Sequence, residues 1–319
     1  MVRLIKKYWF LTALSLIFII TLTESNGFLS ESGIWLKGHH GTNIVILLIF
    51  FSSGLILETG RIRSGLNDIK GLLISLLFIF LFAPLVAVIF IFLPFETGIK
   101  IGFLLVAVVP TTLSSGVVMT GAAKGNLSHA LLITITANII AVVTIPATLS
   151  GLLPLIGNTK AVSIDGLRIM FKLGGFVLLP LFAGLAFKSL FKLYTDHIES
   201  KVHIINQILV LAMVWMALCQ AKAVILANLN VVGVTFVLVV VFHGVLVCLA
   251  LLLLYCLKIG KGKRESVILM GVQKTLLLSI MLQVSLFPQY GQALIVCILH
   301  HLVQLLMDSF LVVKLRSAK

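Results

Sequence analysis

Apolar runs of about 17 to 25 residues, the length a helix needs to cross a bilayer, follow one another along almost the whole of this chain. Hydrophobic residues make up 60% and charged residues 11% of the sequence, outside the range of a soluble domain. The mean hydropathy is +1.21. No segment is long and polar enough to form a separate soluble domain, so the pattern predicts an all-α polytopic membrane protein. Cys219, Cys248, Cys256 and Cys297 all fall in apolar runs and read as small buried hydrophobes, with neither a disulfide framework nor a metal site.

The runs define ten spans, at 8–23, 42–57, 71–94, 100–122, 129–153, 168–190, 203–226, 231–257, 266–287 and 289–313. Arg3, Lys6 and Lys7 ahead of the first run resemble the start of a signal peptide. Thr23-Glu24-Ser25-Asn26 offers no small-residue cleavage site, which favours a retained first helix over a removed signal. The formal charge of +14 is no sign of a nucleic-acid partner, because Lys and Arg sit in short loops between spans. Of the 24 Lys and Arg residues, Lys37, Lys100, Lys160, Arg168, Lys172 and Lys222 fall on one side, Lys274 lies within a span, and the rest gather on the other. Positive charge marks the inside, so both termini are expected in the cytoplasm of a plasma (inner) membrane protein. Glu58, Arg61, Arg63, Asp68 and Lys70, and likewise the run from Lys258 to Arg264, read as ordinary topology-setting loop charge. Lipid is the expected surrounding, and the residues carry no signal for an oligomeric state.

Five spans followed by five suggest two inverted repeats, 1–160 and 161–319, an architecture common in secondary transporters. Spans four and nine hold corresponding places and are the two most interrupted. Span four carries Pro110-Thr111-Thr112-Leu113-Ser114-Ser115-Gly116 and span nine carries Gly271-Val272-Gln273-Lys274-Thr275. Both interruptions lie about 15 Å from their helix starts, at the bilayer midplane. Proline and hydroxyl residues alone could merely kink a membrane helix. Matched breaks at one depth point instead to a binding site. Lys274 strengthens that reading, since a charge at this depth costs about 3 kcal/mol or more and is usually paired and functional.

The same depth arithmetic places Thr134, Thr136 and Asn138 near the centre, with His243, His300, His301 and Gln304; Asp308 lies about 10 Å nearer the cytoplasm. Asp308 is the expected anionic partner of Lys274. Asn138 is expected to face the two broken helices if span five packs beside span four. His243 and the His300-His301 pair read first as satisfied interhelical hydrogen bonds, ahead of a substrate or proton role.

The stretch Val109-Pro110-Thr111-Thr112-Leu113-Ser114-Ser115-Gly116-Val117, then Ala123-Lys124-Gly125-Asn126, Thr134-Ile135-Thr136-Ala137-Asn138 and the span-nine motif, resembles the bile acid:sodium symporter superfamily. It is most similar to the divergent SBF-like branch, the bacterial SBF-like proteins and their eukaryotic relatives linked to calcium homeostasis. The resemblance implies a core of spans three to five and eight to ten, with helices four and nine broken and crossing. It also implies a panel of spans one, two, six and seven, with substrate bound between the two and alternating access by their relative movement. In sodium-coupled members hydroxyls, amides and a shared carboxylate hold the ions. Ser115, Thr134 and Gln273 match such positions, whereas Gly116, Ala130 and Leu269 fall where an Asn, a Ser and the shared Glu would be. A hard cation wants several oxygens, preferably with a carboxylate, so these departures put the usual sodium coupling in doubt, and no resident metal or cofactor is expected.

The leading expectation is therefore a secondary transporter of a small organic anion, with Pro110, Thr111, Thr112, Ser114, Ser115, Thr134, Asn138, Gln273, Lys274, Thr275, His301 and Asp308 at its site. Lys274 would replace a bound cation or serve proton coupling, so sodium or a proton is the coupling ion to be tested. The alternatives are a sodium-coupled anion symporter and a non-transporting regulator of calcium influx. An enzyme fares poorly. The chain has no H-E-x-x-H, Thr112-Leu113-Ser114-Ser115-Gly116 lacks the first glycine of a nucleophile elbow, and the aspartates are scattered.

Overall fold

The computed structural model describes residues 2–57, 65–112, 115–157, 165–191, 199–227 and 229–317, and these residues form helices with no strand among them. In chain order the helices are α1 (Val2–Thr23), α2 (Phe28–Gly38), α3 (Gly41–Ile56), α4 (Ile69–Phe92), α5 (Thr97–Val108), α6 (Ser115–Ala122) and α7 (Leu127–Leu152). There follow α8 (Gly166–Leu190), α9 (Glu199–Ala227), α10 (Leu229–Cys256), α11 (Arg264–Val272), α12 (Leu276–Leu286) and α13 (Gly291–Ser317).

Each of the ten expected spans contains helix. Among the described residues, seven stretches are long and apolar enough to cross a membrane, one of them the interrupted pair α11–α12; the number is eight if bent α1 and α2 count as one. α3 and α5 are shorter apolar helices. One difference from the sequence reading is α2, which occupies a stretch taken as loop. The chain turns by 109° between α1 and α2, through Gly27 in the left-handed region at φ 77°. Glu24 supplies the acceptors that the first turn of α2 lacks, taking hydrogen bonds from Leu29 N at 2.6 Å and Ser30 N at 3.3 Å. Lys222 of α9 reaches the same carboxylate at 3.3 Å and ties the turn to the bundle.

Local chemistry sets the other boundaries. Asn126 caps α7 by accepting from His129 N, and Asp165 caps α8 by accepting from Arg168 N, each at 3.1 Å. The Ala123-Lys124-Gly125-Asn126 element is thus the turn and cap between α6 and α7, with Lys124 left-handed at φ 61°. A Cβ on Gly125 would lie 2.6 Å from Glu265 Cβ, which explains the glycine.

Two helices widen to π geometry just before a proline. Phe78–Phe82 precedes Pro84 in α4, and Gly174–Leu178 precedes Pro180 in α8. A proline inside a helix has no N–H to give and clashes with the carbonyl four residues back. The π register absorbs that clash within the helix.

α3 packs on α8, α9 crosses α1, α2 and α3, and α13 lies against α5 and α10. α11 is enclosed by α4, α6, α7 and α10. Phe90, Phe103 and Phe242 join α4, α5 and α10 through ring centroids 4.5 to 5.4 Å apart.

Close approach of α3 and α8 depends on Gly54 and Gly184. A Cβ on Gly54 would stand 2.2 Å from Leu181 O, and one on Gly184 would stand 2.0 Å from Phe51 O. Gly54→Ala is expected to cost about 1–3 kcal/mol, as overpacking does. Gly151→Ala, with nothing within 4 Å of the new methyl, should be neutral or stabilise by up to about 1 kcal/mol. Thermal unfolding of the two variants in one detergent checks the contrast.

Candidate functional site

The two interrupted helices meet at their breaks. α5 ends at Val108 because Pro110 cannot continue the ladder, and the chain is helical again from Ser115. α11 ends at Val272 and α12 resumes at Leu276, with Gln273 and Thr275 extended between them. Thr275 N donates to Pro110 O at 2.9 Å, and Thr112 Oγ1 donates to Gln273 Oε1 at 2.9 Å. Gln304 of α13 clamps the second break. Its Oε1 accepts from Lys274 N at 2.7 Å and its Nε2 donates to Lys274 O at 3.2 Å. Backbone groups that a helix would have satisfied thus find a side chain or the opposing break.

The Lys274 ammonium is buried and donates to three carbonyl oxygens, Ile79 O at 2.7 Å, Ala107 O at 2.9 Å and Val109 O at 3.1 Å. Each acceptor is free for a reason written in the chain. In the π turn of α4 the Ala83 N–H bonds Phe78 O. The next donor that register would offer Ile79 O is Pro84, which has none. Ala107 and Val109 lie at the C-terminal end of α5, where carbonyls are unpaired and the helix dipole favours a cation.

The expected pairing of Lys274 with Asp308 is therefore corrected. Asp308 lies one helical turn beyond Gln304, and its carboxylate meets the neighbour of Lys274 instead. Gln273 Nε2 donates to Asp308 Oδ2 at 2.8 Å, and His243 Nε2 lies 3.0 Å from Asp308 Oδ1. For His243 the interhelical hydrogen bond expected from the sequence is present. His300 Nε2 and His301 Nδ1 are buried without a hydrogen-bond partner, so the same account does not extend to those atoms.

A continuous polar chain runs through the crossing, from His243 through Asp308, Gln273 and Thr112 to Ser115. The Thr112 hydroxyl donates to Gln273 and accepts from Ser115 Oγ and Gly116 N, each at 2.9 Å, which uses its single proton and both lone pairs. The second amide proton of Gln273 points to Met119 Sδ at 3.2 Å.

The remaining expected site residues divide. Thr134 bonds Ala130 O and Asn138 bonds Thr134 O, both within α7, so among the described residues Asn138 Nδ2 bonds its own helix and neither break. Thr111 Oγ1 is buried with no partner. His301 packs edge-on to Phe10 of α1, ring centroids 6.3 Å apart. Ser114 lies outside the described residues.

Ala130 and Leu269 are buried among apolar side chains, whereas Gly116 faces Met270 on one side and Gln273 on the other. Ile79, Ala130, Ile133, Ala137 and Met270 form one buried cluster. A Cβ on Gly116 would stand 2.7 Å from Met270 Sδ and 2.9 Å from Gln273 Oε1. Met270 fills that space. The sequence reading passed over Met270 and Ile79; Pro84, five residues past Ile79, was the available signal for a freed carbonyl.

Long apolar helices make this a multi-pass membrane protein, and two interrupted helices meeting in a polar crossing are the form secondary transporters take. The chain matches the SBF-like CPA transporter family over residues 8–317 and belongs to it, which makes it a member of a transporter family and not an enzyme. It is 27% identical over 286 residues to "Probable sodium/metabolite cotransporter BASS4, chloroplastic" of Arabidopsis thaliana, a match covering 85% of this chain and 65% of that protein. The chain thus spans about two thirds of the length of that relative. It is 24% identical over 327 residues to "Sodium/bile acid cotransporter 7-B" of Xenopus laevis, covering 98% and 93% of the two chains.

Gln304→Leu removes the clamp and leaves Lys274 N and O without partners. It is expected to destabilise the protein by about 1–3 kcal/mol per orphaned group. Ser115→Ala removes one donor from an acceptor that keeps its other bonds, and should cost no more than about 1 kcal/mol. Thermal unfolding in detergent distinguishes the two.

Proposed function

We propose that this protein is a secondary active transporter that carries a small organic anion by alternating access, with Lys274 in place of a bound cation at the crossing of two broken helices. The three-carbonyl seat of the Lys274 ammonium carries the reading. Unpaired carbonyl oxygens are ligands a hard metal cation would take, and here a tethered ammonium occupies three of them. The apolar cluster of Met270, Ala130 and their neighbours argues against the usual sodium coupling.

The architecture we infer is ten spans in two inverted five-span repeats, with both termini cytoplasmic in the plasma membrane. The packing of α3 and α9 with α1, α2 and α8 supports a panel, and the enclosure of α11 by α4, α6, α7 and α10 supports a core. Substrate would bind between them, where the positive N-terminal ends of α6 and α12 favour an anion. The contact of His301 with Phe10 of α1 supports a position for it on that boundary. The names of the relatives, a sodium/metabolite and a sodium/bile acid cotransporter, keep sodium coupling as the competing reading.

Uptake by proteoliposomes separates the two. With a panel of bile acids and small carboxylates, uptake is expected to follow an imposed pH gradient and to persist without sodium. Lys274→Met should lower it by about tenfold or more, equivalent to about 1.4 kcal/mol. Uptake that requires sodium, or a Lys274→Met variant as active as the wild type, would sink the replacement idea.

A further inference from the structure

We propose that the His243–Asp308 pair is a proton-binding site and holds the coupling proton at the helix crossing, a proposal that rests on the transporter reading above. Lys274 is the more obvious proton carrier, but its geometry is wrong for the task. All three of its N–H groups are spent on carbonyls, so a neutral amine would turn a lone pair toward one of those oxygens. The ammonium is a fixed charge.

Asp308 and His243 are differently placed. Both are fully buried. The carboxylate touches one titratable group, His243, and one neutral donor, Gln273. With the Nε2 proton directed at Asp308, His243 Nδ1 presents a lone pair, and that nitrogen is buried with no hydrogen-bond partner among the described residues. A proton delivered from bulk hydronium forms the Nδ1–H bond, leaves water behind, and creates an imidazolium against the Asp308 carboxylate. No other bond changes.

Few other charged groups face the pair. α13 contributes His300, whose ring centroid lies 5.4 Å from that of His243, with His301 beside it in sequence and Lys314 and Arg316 in its last turn. The α11–α12 break contributes the fixed Lys274. α12, α6 and the stretch Ala83–Phe92 of α4 contain no titratable acid or base. In α11 the charged residues, Arg264 and Glu265, are paired with each other in its first turn. In α5 Lys100 is in the first turn, away from the break. α9 carries Glu199, Lys201, His203 and Lys222, and Lys222 is paired with Glu24.

The charge count gives the coupling. With the pair unprotonated, Lys274 and Asp308 cancel. With it protonated, the crossing holds one net positive charge and favours an anion. Proton and anion thereby raise each other's affinity, as linkage requires, and a monoanion would cross with one proton and no net charge. Asp308 also touches Gln273, so the charge change is felt at the contact with Thr112 that joins the two breaks.

Infrared pH-difference spectra of the full-length protein in liposomes, with no solute added, test the site directly. Across the range in which imidazole ordinarily changes charge, about pH 5 to 8, titrating bands are expected in the wild type. Some of them should be lost in Asp308→Asn and the same ones lost in His243→Gln. Retention of every titrating band in both variants would overturn the proposal. Should either variant fail to give folded protein, nitrogen NMR of the wild type labelled at histidine decides. Ring shifts of a buried histidine that move with pH support the site, and pH-invariant shifts for all buried rings refute it. Failure of every anion in the uptake assay would instead strike the transporter reading and leave this titration unaffected.

Discussion

The Lys274 ammonium and its three carbonyl acceptors are the interaction around which the crossing is built. A lysine at bilayer depth carries a penalty of about 3 kcal/mol or more, and hydrogen bonds involving a charged group return about 1.5–3 kcal/mol each. Three such bonds can offset the insertion cost, provided three carbonyls are free at one point. Regular helices offer none. The chain frees them by two devices, a proline-linked π turn in α4 and a proline-terminated helix end in α5. The ammonium therefore holds α4 and α5 to the break between α11 and α12, and each irregularity satisfies groups that the others leave unpaired.

The same economy extends to the backbone and side chains around the lysine. Gln304 closes a two-point clamp on Lys274, and Thr275 N meets Pro110 O across the crossing. Thr112 and Gln273 have their hydrogen-bonding capacity filled by protein groups. Broken backbone is tolerated at membrane depth only when buried in protein or lining water; here Pro110, Thr111 and Thr112 of the first break and Gln273, Lys274 and Thr275 of the second are buried.

Much of this was legible in the sequence because it follows from one-dimensional rules. Pro110 and the Gln273-Lys274-Thr275 run announced breaks, depth arithmetic put them level, and the structure joins them by direct hydrogen bonds. What the sequence concealed is which polar groups pair. Asp308 was the nearest anion by type, yet one helical turn separates it from Gln304, and that turn hands it to Gln273 and His243. The Ile79 carbonyl was invisible to any reading confined to side chains. Helix α2 was missed because 11 residues are too few to span and its apolar content is modest; its place depends on a carboxylate cap and a glycine turn.

A tethered cation also changes what a transporter can do. A bound sodium ion stabilises one state and then leaves, and its departure down a gradient supplies work. A lysine side chain can provide the first effect and never the second, because it is not released. If Lys274 stands where an ion would bind, the gain is a crossing that is assembled at all times, and the loss is the driving force. Concentrative transport then needs another charge that enters from one side and leaves from the other. Within the crossing that charge must sit on a group whose hydrogen bonds are incomplete in one protonation state. Lys274, Gln273 and Thr112 are complete, whereas His243 retains a buried nitrogen with no hydrogen-bond partner among the described residues.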